Sequence, residues 1–290
     1  MDQLFEIISP NFLLRNSFYA GLVIGLVCPQ VGIFFVLRRM LLMGIALPQV
    51  SNAGITFAFL LHTLGWHFFP HVESEKAMAL TGSIIFTLFA IFLLAILERK
   101  GKGFTENRIG LTYAIAGAAS ILFVSWNPYG HSEAISLLKG EIVTIPDVYF
   151  WSTLAIYGVI FIFLTGFHRN FMLISFDNDM AVAMGKKVIV WNILLFLIIG
   201  IVISFGVMAV GPMVIFGFLL LPAITAKMIT RGIFPFCIIS SVIGVFAAFT
   251  GFYISYRFDL PTGPIDIALL GIIFFISCLI KIVIPKNRTH

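Results

Sequence analysis

The sequence predicts an all-α integral membrane protein, a polytopic bundle of eight to nine transmembrane helices, and three observations carry that expectation. Hydrophobic residues make up 60% of the 290 residues and charged residues only 11%, against about 45–50% and about 25% in soluble proteins. Apolar runs of about 20 residues, the length a helix needs to cross hydrocarbon, recur along the whole chain. Lys and Arg gather in alternate loops between those runs, as they do in proteins threaded through a bilayer. The chain reads as one transmembrane domain over residues 1–290, with short loops and no room for a sizeable soluble domain.

The N-terminal segment 1–15 carries Asp2 and Glu6 ahead of a modest apolar stripe. A secretory signal has a basic start and a longer apolar centre, so the expectation is a retained interfacial helix. Asn16 to Leu37 is the first span, with Gly21 and Gly25 spaced for close helix packing and Pro29 marking a kink. Met40 to Leu61 is the second and Ala77 to Leu97 the third, ended by the basic stretch from Glu98 to Lys102. Ile109 to Ser125 is the fourth, and Val148 to Phe167 the fifth. A charged loop follows from Ser175 to Lys187, in which Asp177 is placed to cap a short helix, Asp179 to sit in its first turn and Gly185 to end it. Val188 to Ala226 then holds no charged residue, nearly twice the roughly 20 residues of one crossing. It reads as two spans broken between Gly206 and Pro212, since proline suits the first turn of a new helix, with a re-entrant half as the alternative. Phe236 to Tyr256 and Ile265 to Ile284 complete the set.

With loops assigned alternately to the two sides, Arg15, Lys76, Lys139 and Arg257 fall on one side, and the other fourteen of the 18 basic residues fall on the opposite one. That places the Ser175 loop and the C-terminus in the cytoplasm. Trp66, Trp126, Trp151 and Trp191 all fall near span ends, where amphipathic rings sit at the headgroups.

Several function classes are disfavoured. No Gly-x-x-x-x-Gly-Lys-Ser/Thr run exists to cradle a nucleotide, and the basic residues form no stripe with interleaved aromatics, so nucleic acid is not an expected partner. Cys28, Cys237 and Cys278 lie in apolar tracts without pairing and read as buried thiols. No His-Glu-x-x-His or comparable acid–base pair falls on a span, which argues against an intramembrane hydrolase. An ion-coupled secondary transporter usually needs ionisable groups near the midplane, and the spans are almost free of them. No cofactor is expected.

Polar residues inside spans are costly in hydrocarbon and mark either helix-to-helix hydrogen bonds or a path. Gln30, Gln49, Ser51, Asn52, Asn192 and Thr225 are the set. Gln49 and Asn52 stand out, being three apart on one helix face beside Pro48, which can free backbone carbonyls toward a cavity. His62, His67 and His71, with Glu73 and Glu75 near, form a weak candidate metal-gathering group in the outer loop, because Pro70 interrupts any single helix through them.

Three motifs, in order, carry a family resemblance. Ser175-Phe176-Asp177-x-Asp179-x-Ala181-x-Ala183-x-Gly185, then Leu221-Pro222-Ala223-Ile224-Thr225-Ala226 after the double span, then Asp259-Leu260-Pro261-Thr262-Gly263-Pro264 resemble the permease subunits of the manganese, zinc and iron type of ABC importer, from about Phe18 to Ile284. The resemblance implies the cobalamin-permease-like (type II) architecture in the cytoplasmic (inner) membrane of a bacterium. It implies a homodimer with a central path, a separate cytoplasmic ATP-binding subunit and an extracytoplasmic substrate-binding protein, with lipid around the spans. Residues 175–187 would then be the coupling helix that docks on the ATPase, and ATP hydrolysis would belong to that partner. The implied cargo is a divalent metal such as zinc, manganese or iron.

In relatives the second span begins Gly-Asp-x-Leu-Ser-His, whose Asp and His are metal ligands on the path. Here the stretch reads Gly44-Ile45-Ala46-Leu47-Pro48-Gln49. Ile45 offers no ligand atom, and Gln49 offers only a neutral carbonyl oxygen, a poor ligand for zinc. Ile45, Pro48, Gln49 and Asn52 are therefore the expected path residues without a metal site of the family kind, and a metal complex or a non-metal small solute is the alternative cargo.

Overall fold

Hydrocarbon offers no partner for a backbone N–H or C=O, so an apolar run that crosses it must bond along itself as a helix. In the computed structural model, which describes residues 14–64, 75–98, 106–127 and 147–283, eleven helices follow that rule. They are α1 (Arg15–Leu37), α2 (Leu41–Thr63), α3 (Glu75–Glu98), α4 (Glu106–Trp126), α5 (Asp147–Gly166), α6 (His168–Phe176), α7 (Asn178–Ala183), α8 (Val188–Val210), α9 (Pro212–Ile229), α10 (Ile233–Phe258) and α11 (Thr262–Val283). Eight are long and apolar enough to cross a membrane by themselves, and nine crossings result when the bent pair α5 and α6 is taken as one. The expected interfacial segment lies almost wholly outside the described residues, as do His67 and His71.

The double span breaks where glycine and proline require it. Gly211 has φ +85°, a conformation that a side chain disfavours, and Pro212 opens α9. Both halves are full-length helices. The fifth span, however, does not end in a loop: after Phe167 the chain bends by 69° and continues as α6. That helix buries Phe171, Met172, Ile174 and Ser175 and exposes Arg169, a nine-residue amphipathic turn too short to stand out by periodicity.

The helices fall into two compact units. One comprises Met1–Val36, Ile142–Phe161 and Gly217–His290. Within it α1 and α10 cross backbone to backbone, since a methyl built on Gly25 would lie 2.7 Å from the Gly244 carbonyl oxygen and one on Gly244 would lie 2.1 Å from that of Gly25. Gly21, expected to share this role, faces open space. Gln30 ties the same pair of helices together, donating to the Cys237 carbonyl at 2.8 Å and the Ser241 hydroxyl at 2.7 Å, while Ser241 donates to the Leu26 carbonyl at 2.9 Å.

The other unit comprises Leu37–Glu141 and Ile162–Phe216. Its α2 packs on α3 through Gly54 and Gly82, each occupying the space a methyl on the other would need. Small hydroxyls reinforce the packing from helix to helix: Ser51 and Ser83 share a hydrogen bond of 2.6 Å, Thr87 bonds the Ser83 carbonyl at 2.8 Å, and Ser204 of α8 donates to Thr87 at 3.3 Å. All four are fully buried. Ser51 thus takes the first of the two roles expected of polar span residues, a hydrogen bond between helices.

Orientation is tested by cysteine labelling at exposed positions. Ser175 is unsuitable, being buried, whereas Lys186 and Leu260 are exposed. With an impermeant thiol reagent in intact cells, a Leu260→Cys variant is expected to react and a Lys186→Cys variant to react only after permeabilisation. The reverse pattern overturns the assignment from the basic residues.

Candidate functional site

Two places carry the candidate functional side chains, both in the unit that contains α2: the short helix α7 on the side that the basic residues mark as cytoplasmic, and the polar face of α2.

A six-residue helix is too short to hold itself in water, and α7 is fixed at both ends. Asp177, extended at φ −150°, accepts a hydrogen bond from the Met180 N–H at 2.9 Å. At the other end Gly185 takes φ +73°, and its N–H donates to the Val182 carbonyl at 2.9 Å while that of Lys186 donates to Ala181 at 3.0 Å. That pair of bonds is the glycine-dependent helix stop expected of the sequence. Asp179 lies in the first turn, where the helix dipole favours negative charge. Ala181 is fully buried and anchors the helix.

The outward side of α7 is unusual for a surface meeting water. Phe176, Met180, Val182 and Met184 are 58%, 54%, 61% and 59% exposed within a few residues of one another, with Asp177, Asp179, Ala183, Gly185 and two lysines among them. Exposed apolar side chains set among charged ones make α7 a candidate protein-docking surface. Ser175 is not part of it. Its hydroxyl instead accepts from Arg38 Nε at 3.1 Å, and the same guanidinium donates to Asn192 Oδ1 at 2.8 Å and lies 5.7 Å from the centre of the Phe196 ring. Arg38 was not singled out from the sequence, where it is one of several basic residues at a span end.

On α2, Ile45, Gln49 and Asn52 follow at spacings of four and three and share one face. Ile45 and Gln49 are half-buried, and Pro48 and Asn52 are buried. Pro48 lacks the N–H that would bond the Gly44 carbonyl one turn earlier. Gln49 lies against α4, its Nε2 3.5 Å from where a methyl on Gly117 would sit. Asn52 Nδ2 is buried with no hydrogen-bond acceptor among the described residues, an arrangement that costs about 1–3 kcal/mol.

The other four of the expected set are accounted for within the packing, while Ser17, Ser240 and Asp266 on other spans each bury an oxygen with no hydrogen-bond partner among the described residues. Gln30 and Ser51 bond between helices, Thr225 bonds its own Leu221 carbonyl at 2.7 Å, and Asn192 holds Arg38. Gln49 and Asn52 remain as the pair whose amide groups the packing does not use up. His62 sits half-buried in the last turn of α2, and no group of three or more His, Cys, Asp or Glu side chains is placed to hold a metal among the described residues.

Comparison with known proteins agrees with this arrangement over nearly the whole chain. Residues 11–281 match the model of the ABC 3 transport family. The chain is 28% identical over 275 residues to the manganese import system permease protein ScaB of Streptococcus gordonii, covering 95% of this chain and 92% of that protein. It is 25% identical over 266 residues to the manganese transport system membrane protein MntC of Listeria monocytogenes, covering 92% and 90%. Among solved structures, PsaBC from Streptococcus pneumoniae in complex with Fab superposes with a TM-score of 0.80 at 25% identity, over 99% of this chain and 97% of that one. A polytopic membrane protein with this helix order and a match from residue 11 to residue 281 belongs to the ABC 3 transport family.

Proposed function

We propose that this protein is the permease subunit of an ABC importer that carries a transition metal across the bacterial cytoplasmic membrane. The observation that carries the reading is the chain-long similarity to manganese import permeases. A homodimer would enclose the path, an extracytoplasmic substrate-binding protein would deliver the cargo, and a separate ATP-binding subunit would dock on α7. Hydrolysis belongs to that subunit, because this sequence carries no phosphate-binding loop. Large apolar side chains such as Ile162, Phe234, Phe275 and Ile282 stand outward from the helices and suit contact with lipid.

The α2 face favours a metal that arrives with ligands attached over a bare ion. Ile45 contributes no donor atom, and Gln49 contributes a neutral oxygen. The unpaired Asn52 Nδ2 is a hydrogen-bond donor, which repels a cation and suits an acceptor atom on a ligand or on a metal's water shell. Such a path holds no anionic trap from which the ion must be released in each cycle.

The test uses the assembled complex, with its ATPase and binding protein, in proteoliposomes supplied with manganese(II) alone or as a small-molecule chelate. ATP-dependent uptake of manganese is expected, greater for the chelate, and Gln49→Leu should lower it roughly tenfold, the worth of a hydrogen-bonding group of about 1.4 kcal/mol. Purified permease should show no tight manganese or zinc binding that depends on Gln49. Absence of uptake in either form defeats the metal assignment, and a Gln49-dependent tight site for the bare ion defeats the preference for a ligated one.

A further inference from the structure

Arg38 joins three elements of one unit at a single planar group. It stands two residues before Met40, the N-cap of α2. Arg39 between them takes φ +56°, and the Met43 N–H donates to the Met40 carbonyl at 3.0 Å, so the link from Arg38 into α2 is a tight turn. Through Nε the guanidinium holds Ser175 near the end of α6, two residues before the Asp177 that caps α7, and through Nη2 it holds Asn192 in the second turn of α8. The Phe196 ring one turn further along α8 lies beside the cation. A guanidinium fork held at two points is far stiffer than a lysine amine on a flexible stem. A shift of α7 is therefore delivered through two residues to Arg38, and from Arg38 to the start of the helix that carries Ile45, Gln49 and Asn52.

We propose that Arg38 is a positioning residue that transmits movement of α7 to α2 and α8, coupling the cytoplasmic surface to the polar face of the path. The proposal rests on α7 being the surface at which the ATPase acts. Packed elements with two discrete arrangements transmit such movement when the link between them is stiff, and Arg38 is a polar, two-point link between α6 and α8 at the point where the chain enters α2.

The experiment needs no knowledge of the cargo. In the complex with its ATPase, with the three native cysteines replaced by alanine, spin labels are placed at the exposed residues Arg169 on α6, the helix that carries Ser175, and Leu64 after α2. Their distance distribution is measured before and after trapping with ATP and vanadate. The distribution is expected to shift with Arg38 present and to stay unshifted in Arg38→Gln, while ATP hydrolysis and complex formation stay within about twofold, under 0.5 kcal/mol. Arg38→Lys should recover only part of the shift, because one amine cannot hold both Ser175 and Asn192 in the fork's geometry. Asn192→Asp, which keeps the acceptor oxygen and adds charge, should retain all of it. A full shift in Arg38→Gln overturns the proposal, as does the lack of any shift with Arg38 present. The underlying reading of α7 fails separately, if altering the outward face of α7 leaves the ATPase bound.

Discussion

Gly32→Ala should cost this protein far more stability than a methyl group added at a span glycine that faces open space. A methyl built at Gly32 would lie 1.7 Å from the carbonyl oxygen of Leu219, 2.7 Å from its carbon and 3.3 Å from its Cα. All three atoms are backbone of α9, so no side-chain rotation relieves the clash, and α1 and α9 must move apart along a buried seam. Overpacking in a core typically costs about 1–3 kcal/mol when side chains can adjust, and here they cannot, so a loss above about 3 kcal/mol is expected. The control lies on the same helix: Gly21 has nothing within 4 Å of its added methyl, and alanine is the better helix former by about 1 kcal/mol. Gly21→Ala should therefore be neutral or slightly stabilising. Thermal unfolding in detergent, followed by the monodisperse fraction, distinguishes the two, and equal melting of Gly32→Ala and the parent would show that the close crossing is not needed.

The contrast between Gly21 and Gly32 also marks the limit of what the sequence discloses. Span positions were legible because hydrocarbon imposes a local condition, a sufficient uncharged run, and every helix of the bundle falls within a few residues of its run. The break at Gly211 and Pro212 and the caps at Asp177 and Gly185 were legible for the same reason, since each is decided by the conformational range of one or two residues. Which glycine meets a neighbouring backbone is decided by how helices cross. A spacing rule picked Gly21 together with Gly25, yet Gly25 alone of the two meets another helix. The α5–α6 bend escaped because nine residues carrying both Arg169 and an apolar stripe resemble a loop end. Arg38 escaped because its partners, Ser175 and Asn192, are more than a hundred residues away in sequence. On α2 the residue types were readable and their surroundings were not. Asn52 differs from Gln30 and Ser51 only in lacking a partner for its Nδ2, which nothing in its local sequence signals.

The surface of α7 supplies the second large expected effect. The double variant Asp179→Lys, Ala183→Trp should insert and fold as the parent does but fail to hold its ATPase. Both positions are exposed, so neither change disturbs packing within the permease, and the buried anchor Ala181 and both caps are left in place. Asp179 reverses sign in the first turn, where positive charge opposes the helix dipole at a cost of about 0.3–1 kcal/mol, a minor loss to a helix held at both ends. The major loss is at the interface. Ala183 is small and stands among Met180, Val182 and Met184, whose exposed apolar surface the proposed ATPase contact would cover. A tryptophan there holds that partner away from the whole patch, an effect of the size seen at binding hot spots, at least about 2 kcal/mol or roughly thirtyfold in affinity. Co-purification of the ATPase with tagged permease measures it directly. A second variant, Val182→Ser with Met184→Ser, removes apolar contact without adding bulk and should weaken association in the same direction. Normal co-purification of both variants would mean that the patch is covered by something other than the ATPase. The graded loss expected from the serine pair separates a docking surface, where contact area sets affinity, from a bystander loop that a bulky ring merely obstructs.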